Sequence, residues 1–202
     1  MRALRELLPQ ATFLTKEQAT KAALKSVSGP SILHIATHGF FLQDEPQTAA
    51  ESRAATQAHD GARLGKLVAH VENPLFRSGL ALAGANQSSN GNTDGILTAL
   101  EVAGLDLWGT KLVVLSACDT GVGAVKNGDG VYGLRRALVL AGAESQLMSL
   151  WAVSDRSTRD LIVGYYKTLL QGAGRGEALR QAQLQMLKDK ARRHPCFWPV
   201  SS

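Results

Sequence analysis

The apolar run KLVVLSAC, at residues 111 to 118, decides the fold class of this chain. A nearly continuous apolar stretch of this length is typical of a strand that is buried on both faces of a parallel sheet. The glycine-rich turn DTGVG follows it at residues 119 to 123. A second run, SILHIAT at residues 31 to 37, is predicted to be another buried strand that stops at His38-Gly39. The two predicted strands therefore end at residues that can do chemistry, a histidine and a cysteine.

Helical patterns alternate with these strands along the chain. Apolar residues recur at helical spacing, capping residues precede them and glycines follow the last turns. Two further strands are predicted at residues 73 to 84 and 144 to 151. The predicted helices are Thr15 to Lys25, Thr98 to Ala103, Val131 to Ala141, a helix that Ser154 or Asp155 caps and Gly172 closes, and Glu177 to about Arg192. This alternation predicts an α/β fold, namely a three-layer α-β-α sandwich with a mainly parallel sheet and helices on both faces.

The composition fits a single globular domain over residues 1 to 202. With 45% hydrophobic and 19% charged residues, the chain has enough apolar material for a sizeable core. Residues 43 to 72 are polar and rich in alanine and glutamine, without a sustained period. This stretch is predicted to be a long surface insertion, and we expect limited proteolysis of the native chain to cut it first.

Charge and cysteine content exclude several classes of protein. The 22 basic and 17 acidic residues give a formal net charge of +5, and bases gather between residues 188 and 193. A solvated last helix explains that cluster, because aromatic residues are not interleaved with it, so no direct nucleic-acid partner is predicted. No apolar run suits a signal peptide or a membrane span, which predicts a cytoplasmic protein without membrane contact. Cys118 and Cys196 are too few for a disulfide scaffold and suit a reduced compartment.

His38 and Cys118 are expected to lie on the same rim of the sheet, where the carboxyl ends of parallel strands meet. A free thiol is only slightly ionised near neutral pH, so a nearby imidazole would favour the thiolate and later protonate the leaving amine. A backbone N–H at Gly39 or Cys118 could stabilise the oxyanion. By residue type alone, however, Cys118 fits the role of a small buried apolar residue at least as well, and His38 that of a structural histidine.

Two sequence blocks, SILHIATHGFF and LVVLSACDTGVG, closely resemble the signature blocks of the CHAT domain family, which belongs to the caspase, metacaspase and separase group of peptidases. The resemblance continues through NPLFRSGLALAG, GILTALEVAGLDL, GVYGLRRALVLAGAESQLMSLWAVSD and EALRQAQLQML, from about residue 30 to residue 198. It implies a caspase-like fold and a cysteine endopeptidase that cleaves protein substrates through a thioester. In such an enzyme Cys118 is the nucleophile, His38 the acid and base, and Gly39 an oxyanion donor, and no cofactor is needed.

The resemblance also implies regulation by other modules. CHAT domains commonly follow tetratricopeptide repeats, so a regulatory or tetratricopeptide-repeat partner is expected to hold the peptidase in check. The family usually continues past HPCFWPV into a further apolar strand, whereas this sequence ends at Ser202. An edge strand is therefore expected to be missing, in a fragment or a stand-alone domain. An inactive CHAT-type protein-interaction module is the alternative function, and a nucleotide-binding module at the same rim is a further one.

Asp155 and Ser116 are the candidates for substrate binding. The segment LWAVSD resembles a separase segment in which an aspartate at the place of Asp155 pairs with a basic side chain before the scissile bond. Asp155 fits equally well as the cap of the helix that starts near Arg156. Ser116, two residues before Cys118, lacks the charge that metacaspases carry there, so a basic preference would come from Asp155 or from Asp119.

The remaining histidines and the second cysteine are predicted to be structural or solvated. His34 is expected to be packed in the sheet, and it could form a metal pair with His38 only if the segment were helical. No metal site is therefore predicted. Cys196 is predicted to be structural, and His59 and His70 lie in the polar insertion, where we expect them to be solvated.

Overall fold

The computed structural model describes residues 2–41, 75, 78–85, 95–119, 129–149, 155–190, 193–194 and 200–201. Within these ranges the α-helices are α1 (Arg2–Leu7), α2 (Lys21–Lys25), α3 (Ala99–Ala103), α4 (Asp129–Leu140), α5 (Asp155–Leu170) and α6 (Arg175–Lys188), and Lys16–Gln18 forms a short 3₁₀ helix. The strands are β1 (Ile32–Phe41), β2 (Ser78–Ala81), β3 (Ile96–Thr98), β4 (Leu112–Asp119), β5 (Gln146–Ser149) and β6 (Val200–Ser201). The predicted polar insertion at residues 43 to 72 lies outside the described residues.

The strands form one mixed sheet in the order β3-β2-β1-β4-β5-β6. The central pairs β1–β4 and β4–β5 are parallel, whereas β1–β2, β2–β3 and β5–β6 are antiparallel. The α/β class is confirmed, but the prediction of a mainly parallel sheet is wrong outside the centre. An antiparallel neighbour needs only a reversal of the chain, whereas a parallel neighbour needs a crossover such as α4, which joins β4 to β5.

Buried side chains form two hydrophobic clusters, and successive residues of β4 belong alternately to one cluster and the other. Val113 and Leu115 belong to the cluster that includes Val102 of α3 and Leu138 of α4. Leu112 and Val114 belong to the other cluster, with residues of α5 and α6 such as Leu161, Tyr165 and Leu179. Because successive residues of a strand point to opposite faces, the two clusters lie on opposite faces of the sheet. From Leu112 to Leu115 both faces of β4 are buried, which explains the continuous apolar sequence there.

Strand β1 is longer than its sequence predicts. It continues through His38-Gly39 to Phe41, because β2 pairs with its last four residues, from His38↔Ala81 to Phe41↔Ser78. The prediction that the strand stops at His38-Gly39 is therefore wrong. The histidine lies inside a strand that is paired on both sides at that level.

The helix ends test the capping predictions. Thr98 and Glu101 form the predicted capping box at the start of α3. The other predicted box, at Thr15, is wrong: the Thr15 side chain makes no capping hydrogen bond, and Lys16 has a φ of 53°, in the left-handed region. The α-helix begins only after Thr20, whose hydroxyl accepts a hydrogen bond from the Ala23 N–H at 3.1 Å.

Glycines in the left-handed region end two helices where the sequence predicts it. Gly142 follows α4 with a φ of 102°, and Gly172 follows α5 with a φ of 91°. Residues other than glycine rarely adopt these angles, so a glycine after the last turn stops the helix. Helix α6 ends at Lys188 and not near Arg192, because its C-cap residue Asp189 has an extended backbone.

Candidate active site

Strands β1 and β4 place His38 and Cys118 opposite each other. Their parallel register pairs the two Cα atoms directly, and it also pairs Ala36 with Ser116 and Gly39 with Asp119. Neighbouring strands lie about 4.8 Å apart, and register partners occupy the same face of a pleated sheet. The sheet therefore brings together the histidine and the cysteine that the sequence proposes as base and nucleophile.

The His38 side chain is exposed at this rim. Among the described residues, no carboxylate, carbonyl or hydroxyl is hydrogen-bonded to its imidazole ring. The backbone of His38 is fixed from two sides instead, by Cys118 on β4 and by Ala81 on β2. The position of this ring thus depends on the register of β1 with its two neighbours.

Gly39 and Ser116 lie next to this pair. Gly39 is half-buried and lies between Asp119 of β4 and Leu80 of β2 in the register. Ser116 is half-buried and lies two residues before Cys118, hence on the same face of β4. Both of these predicted site residues therefore belong to the rim that holds the histidine and the cysteine.

Asp155 is the first residue of α5, which agrees in position with the predicted helix start. Its side chain, like that of Cys118, is outside the described part of the structure. The structure does not bring Asp155 into the strand register of the rim. Cys196, His59 and His70 lie outside the described residues.

His34 is packed in the lower part of the same sheet face, as its sequence position predicts. Its Nδ1 lies 3.1 Å from the Tyr166 hydroxyl, and the two rings are stacked with their centroids 5.8 Å apart. Burial lowers the pKa of His34 to about 4 and raises the pKa of Tyr166 above its usual range. The imidazole is therefore neutral near pH 7, and the tautomer of the ring decides whether Nδ1 accepts a hydrogen bond from the tyrosine hydroxyl or donates one to it.

The distance along β1 separates His34 from His38. Four residues of a strand span about 13 Å, which is too far for two side chains to share one metal ion. Within the described ranges, no group of three or more His, Cys, Asp and Glu side chains could hold a metal. The described helices likewise include none whose length and apolar character would let it cross a membrane.

Two contacts of β1 are not evident from the sequence pattern. Tyr166 is fully buried and reaches back to His34, and the Thr37 hydroxyl donates a hydrogen bond to the Ala81 carbonyl. The spacing of Tyr166 from Ile162, four residues along a helix, could have indicated that it faces the sheet. No local signal indicates the partner of Thr37, because that contact joins distant parts of the chain.

Comparison with known proteins fits this arrangement of strands and residues. The family model described as the CHAT domain matches residues 1–202, the whole chain. The chain belongs to the CHAT domain family. Its sequence is also 38% identical over 103 residues to tetratricopeptide repeat protein 28 of Homo sapiens and 35% identical over 103 residues to the Mus musculus protein of that name.

The two matches cover 51% of this CHAT domain but only 4% of each relative. The chain thus spans a small part of the length of the curated relatives that it matches. The activity and partners of those long proteins do not transfer to this CHAT domain on that ground.

Proposed function

We propose that this CHAT domain is a cysteine endopeptidase that cleaves protein substrates, built on a caspase-like three-layer α-β-α scaffold. The observation that carries the proposal is the register that pairs His38 with Cys118 on adjacent parallel strands. Helical residues contribute to the hydrophobic clusters on both faces of the sheet, which supports the layered arrangement. Membership of a caspase-like family supports both parts.

In the proposed reaction, the Cys118 thiolate attacks the carbonyl carbon of the scissile peptide bond. The charge that develops on the carbonyl oxygen is stabilised by the backbone N–H of Gly39, where the absence of a Cβ leaves room for a substrate. His38 then donates a proton to the leaving amine, and a thioester remains on Cys118. Water, deprotonated by His38, hydrolyses the thioester and regenerates the thiol. Apart from the substrate and this water molecule, the proposed chemistry uses only groups of the chain itself.

Asp155 and Ser116 are the proposed substrate-binding residues. A carboxylate at Asp155 would favour Arg or Lys before the scissile bond through charge-assisted hydrogen bonds. Profiling on a peptide library should then show a basic preference that Asp155→Asn weakens. If the preference is acidic or apolar, or does not change in the variant, Asp155 has only a structural role in the first turn of α5.

The proposal is tested by labelling with an electrophilic peptide probe and by cleavage of a peptide library. Cys118→Ala should abolish both, and His38→Ala should lower the cleavage rate by roughly 10²–10⁴-fold, the usual effect of losing acid–base catalysis. Cys196→Ser is the matched control, since it removes the other thiol and should leave both signals unchanged. Cleavage that persists at full rate in Cys118→Ala would refute the proposal.

A catalytically inactive CHAT-type interaction module is the second candidate. It is favoured by the two relatives, both of which are named as tetratricopeptide repeat proteins. A regulatory or tetratricopeptide-repeat partner is proposed under either function. The two functions differ in one measurement: an inactive module would leave Cys118 no more reactive toward the probe than Cys196.

A further inference from the structure

The β1–β2 ladder ends at the level of His38. In the antiparallel register, His38↔Ala81 is the terminal pair, and Ala81 is the last residue of β2. Beyond it no described residue of this segment pairs with β1: the Leu82 N–H extends the pairing on the β3 side by donating to the Gly95 carbonyl at 2.7 Å, and the Ala83 N–H donates to the Ala19 carbonyl at 3.0 Å. His38, which carries the imidazole, is therefore the residue of β1 at the end of its pairing with β2.

Ends of ladders fray, because the terminal pair has neighbours on one side only. The Thr37 hydroxyl acts at this end: it donates a hydrogen bond to the carbonyl of Ala81, the register partner of His38. Thr37 is half-buried and points to the sheet face opposite His38, so its side chain can hold the strands together without occupying the rim. It thus adds a cross-strand bond at the position where the ladder is weakest.

We infer that Thr37 is a positioning residue, whose hydroxyl fixes the backbone of His38 against β2 and so sets the distance between the imidazole and Cys118. The inference rests on the proposed function, since it assigns a role in that same pair. Loss of the hydroxyl would leave the Ala81 carbonyl without this donor and let the end of the ladder open.

The substitution that isolates the hydroxyl is Thr37→Val, since valine keeps the branched shape and the preference for strands. Thr37→Ser restores a donor and is the rescue variant. The matched control is Thr168→Val on α5, which removes a hydroxyl that donates to the Gly164 carbonyl at 3.1 Å, on a helix that does not carry the pair. The Thr168 variant thus reports the general effect of losing one such bond.

The measurement is the pH dependence of alkylation by iodoacetamide, quantified on the peptide that contains Cys118. In the protein of native sequence, the neighbouring imidazolium should keep the thiolate of Cys118 populated at pH values below about 8.5, the ordinary pKa of a thiol. In Thr37→Val the rise of the alkylation rate with pH should shift to higher pH. The rate at pH 7 should fall by roughly tenfold, within the about 100-fold that a displacement of about 1 Å can cause. Peptide cleavage should show a lower kcat with little change in KM, and Thr37→Ser should recover both.

The outcomes separate this inference from the function on which it rests. The inference is supported if the alkylation rate of Cys118 rises at a higher pH in Thr37→Val but at the original pH in both Thr37→Ser and Thr168→Val. The inference about Thr37 is refuted if Thr37→Val leaves the pH dependence of alkylation unchanged, or if Thr168→Val shifts it equally. Neither result would affect the proposed His38–Cys118 pair. If the protein of native sequence and His38→Ala are alkylated with the same pH dependence, the His38–Cys118 pair itself is refuted, and so is the inference about Thr37.

Discussion

Acidification tests the packing of His34 against Tyr166. Burial holds the pKa of His34 at about 4, against an ordinary value of 6.5. In the unfolded chain the ring therefore gains its proton at a higher pH than in the folded protein. Because the unfolded state binds more protons between these two values, the contribution of His34 to stability is complete above pH 6.5 and is lost as the pH falls toward 4.

The size of this effect follows from the two pKa values. Each unit of difference corresponds to about 1.4 kcal/mol, so the shift from 6.5 to about 4 represents roughly 3 kcal/mol of unfolding free energy. Most of that loss should already be present at pH 4.5. For a domain whose total stability is about 5–15 kcal/mol, such a loss is readily measured.

The assay is urea unfolding at pH 7 and pH 4.5, compared between the unmodified protein and His34→Phe. Phenylalanine keeps a ring next to Tyr166 but cannot be protonated, so it removes the titration and retains most of the packing. Tyr166→Phe is a second variant, which removes the hydroxyl that lies 3.1 Å from Nδ1 of His34. Other groups, such as Glu101, titrate in all three proteins and cancel in the comparison.

The unmodified protein should lose roughly 2–3 kcal/mol more than His34→Phe between the two pH values. Equal losses in both proteins would show that His34 titrates normally in the folded state. The interpretation of the His34–Tyr166 contact as a buried, neutral pair would then be wrong.

Two further changes test the local structure. Although partial burial by itself raises the pKa of Glu101, hydrogen bonds from Lys21, Lys25 and the Thr98 N–H lower it to about 2. Glu101→Gln should therefore lower the free energy of unfolding by about 1 kcal/mol at pH 7, as measured by chemical denaturation. The difference from the native sequence should shrink as the pH falls from 4.5 toward 2. An unchanged denaturation midpoint at pH 7 would contradict this prediction. Gly142→Ala should destabilise by about 1–3 kcal/mol, because a Cβ at this φ of 102° would lie 2.9 Å from Cε3 of Trp108. Gly176→Ala in α6, where a Cβ meets nothing within 4 Å, should instead raise the melting temperature slightly, and a loss in both would contradict the steric argument.

The central strands could be predicted from sequence because burial on both faces leaves a continuous apolar run. Val113 and Val114 are both fully buried, one toward each hydrophobic cluster, and a run of such residues is characteristic of a strand at the centre of a sheet. The parallel pairing of β1 with β4 then places His38 and Cys118 opposite each other, although β1 does not end at His38-Gly39 as predicted. These two motifs also carry the family resemblance that the family model confirms.

The antiparallel half of the sheet could not be predicted, because its pairing is not visible in local sequence. Strand β2 has only four residues, and it extends β1 past His38 through contacts between distant segments. The start of α2 differs from the predicted one for a related reason. Both Thr15 and Thr20 suit a cap, and only the conformation of Lys16 decides between them.

The pairing of His38 with Cys118 has a consequence for synthesis of the protein. The two residues are far apart in sequence and meet only when β1 and β4 form parallel neighbours. Contacts between distant segments form late and slowly, because the loop between them must close first. A nascent or partly unfolded chain would therefore carry a thiol and an imidazole that do not yet act on each other, so the cell would be exposed to the proposed activity only after the central sheet has closed.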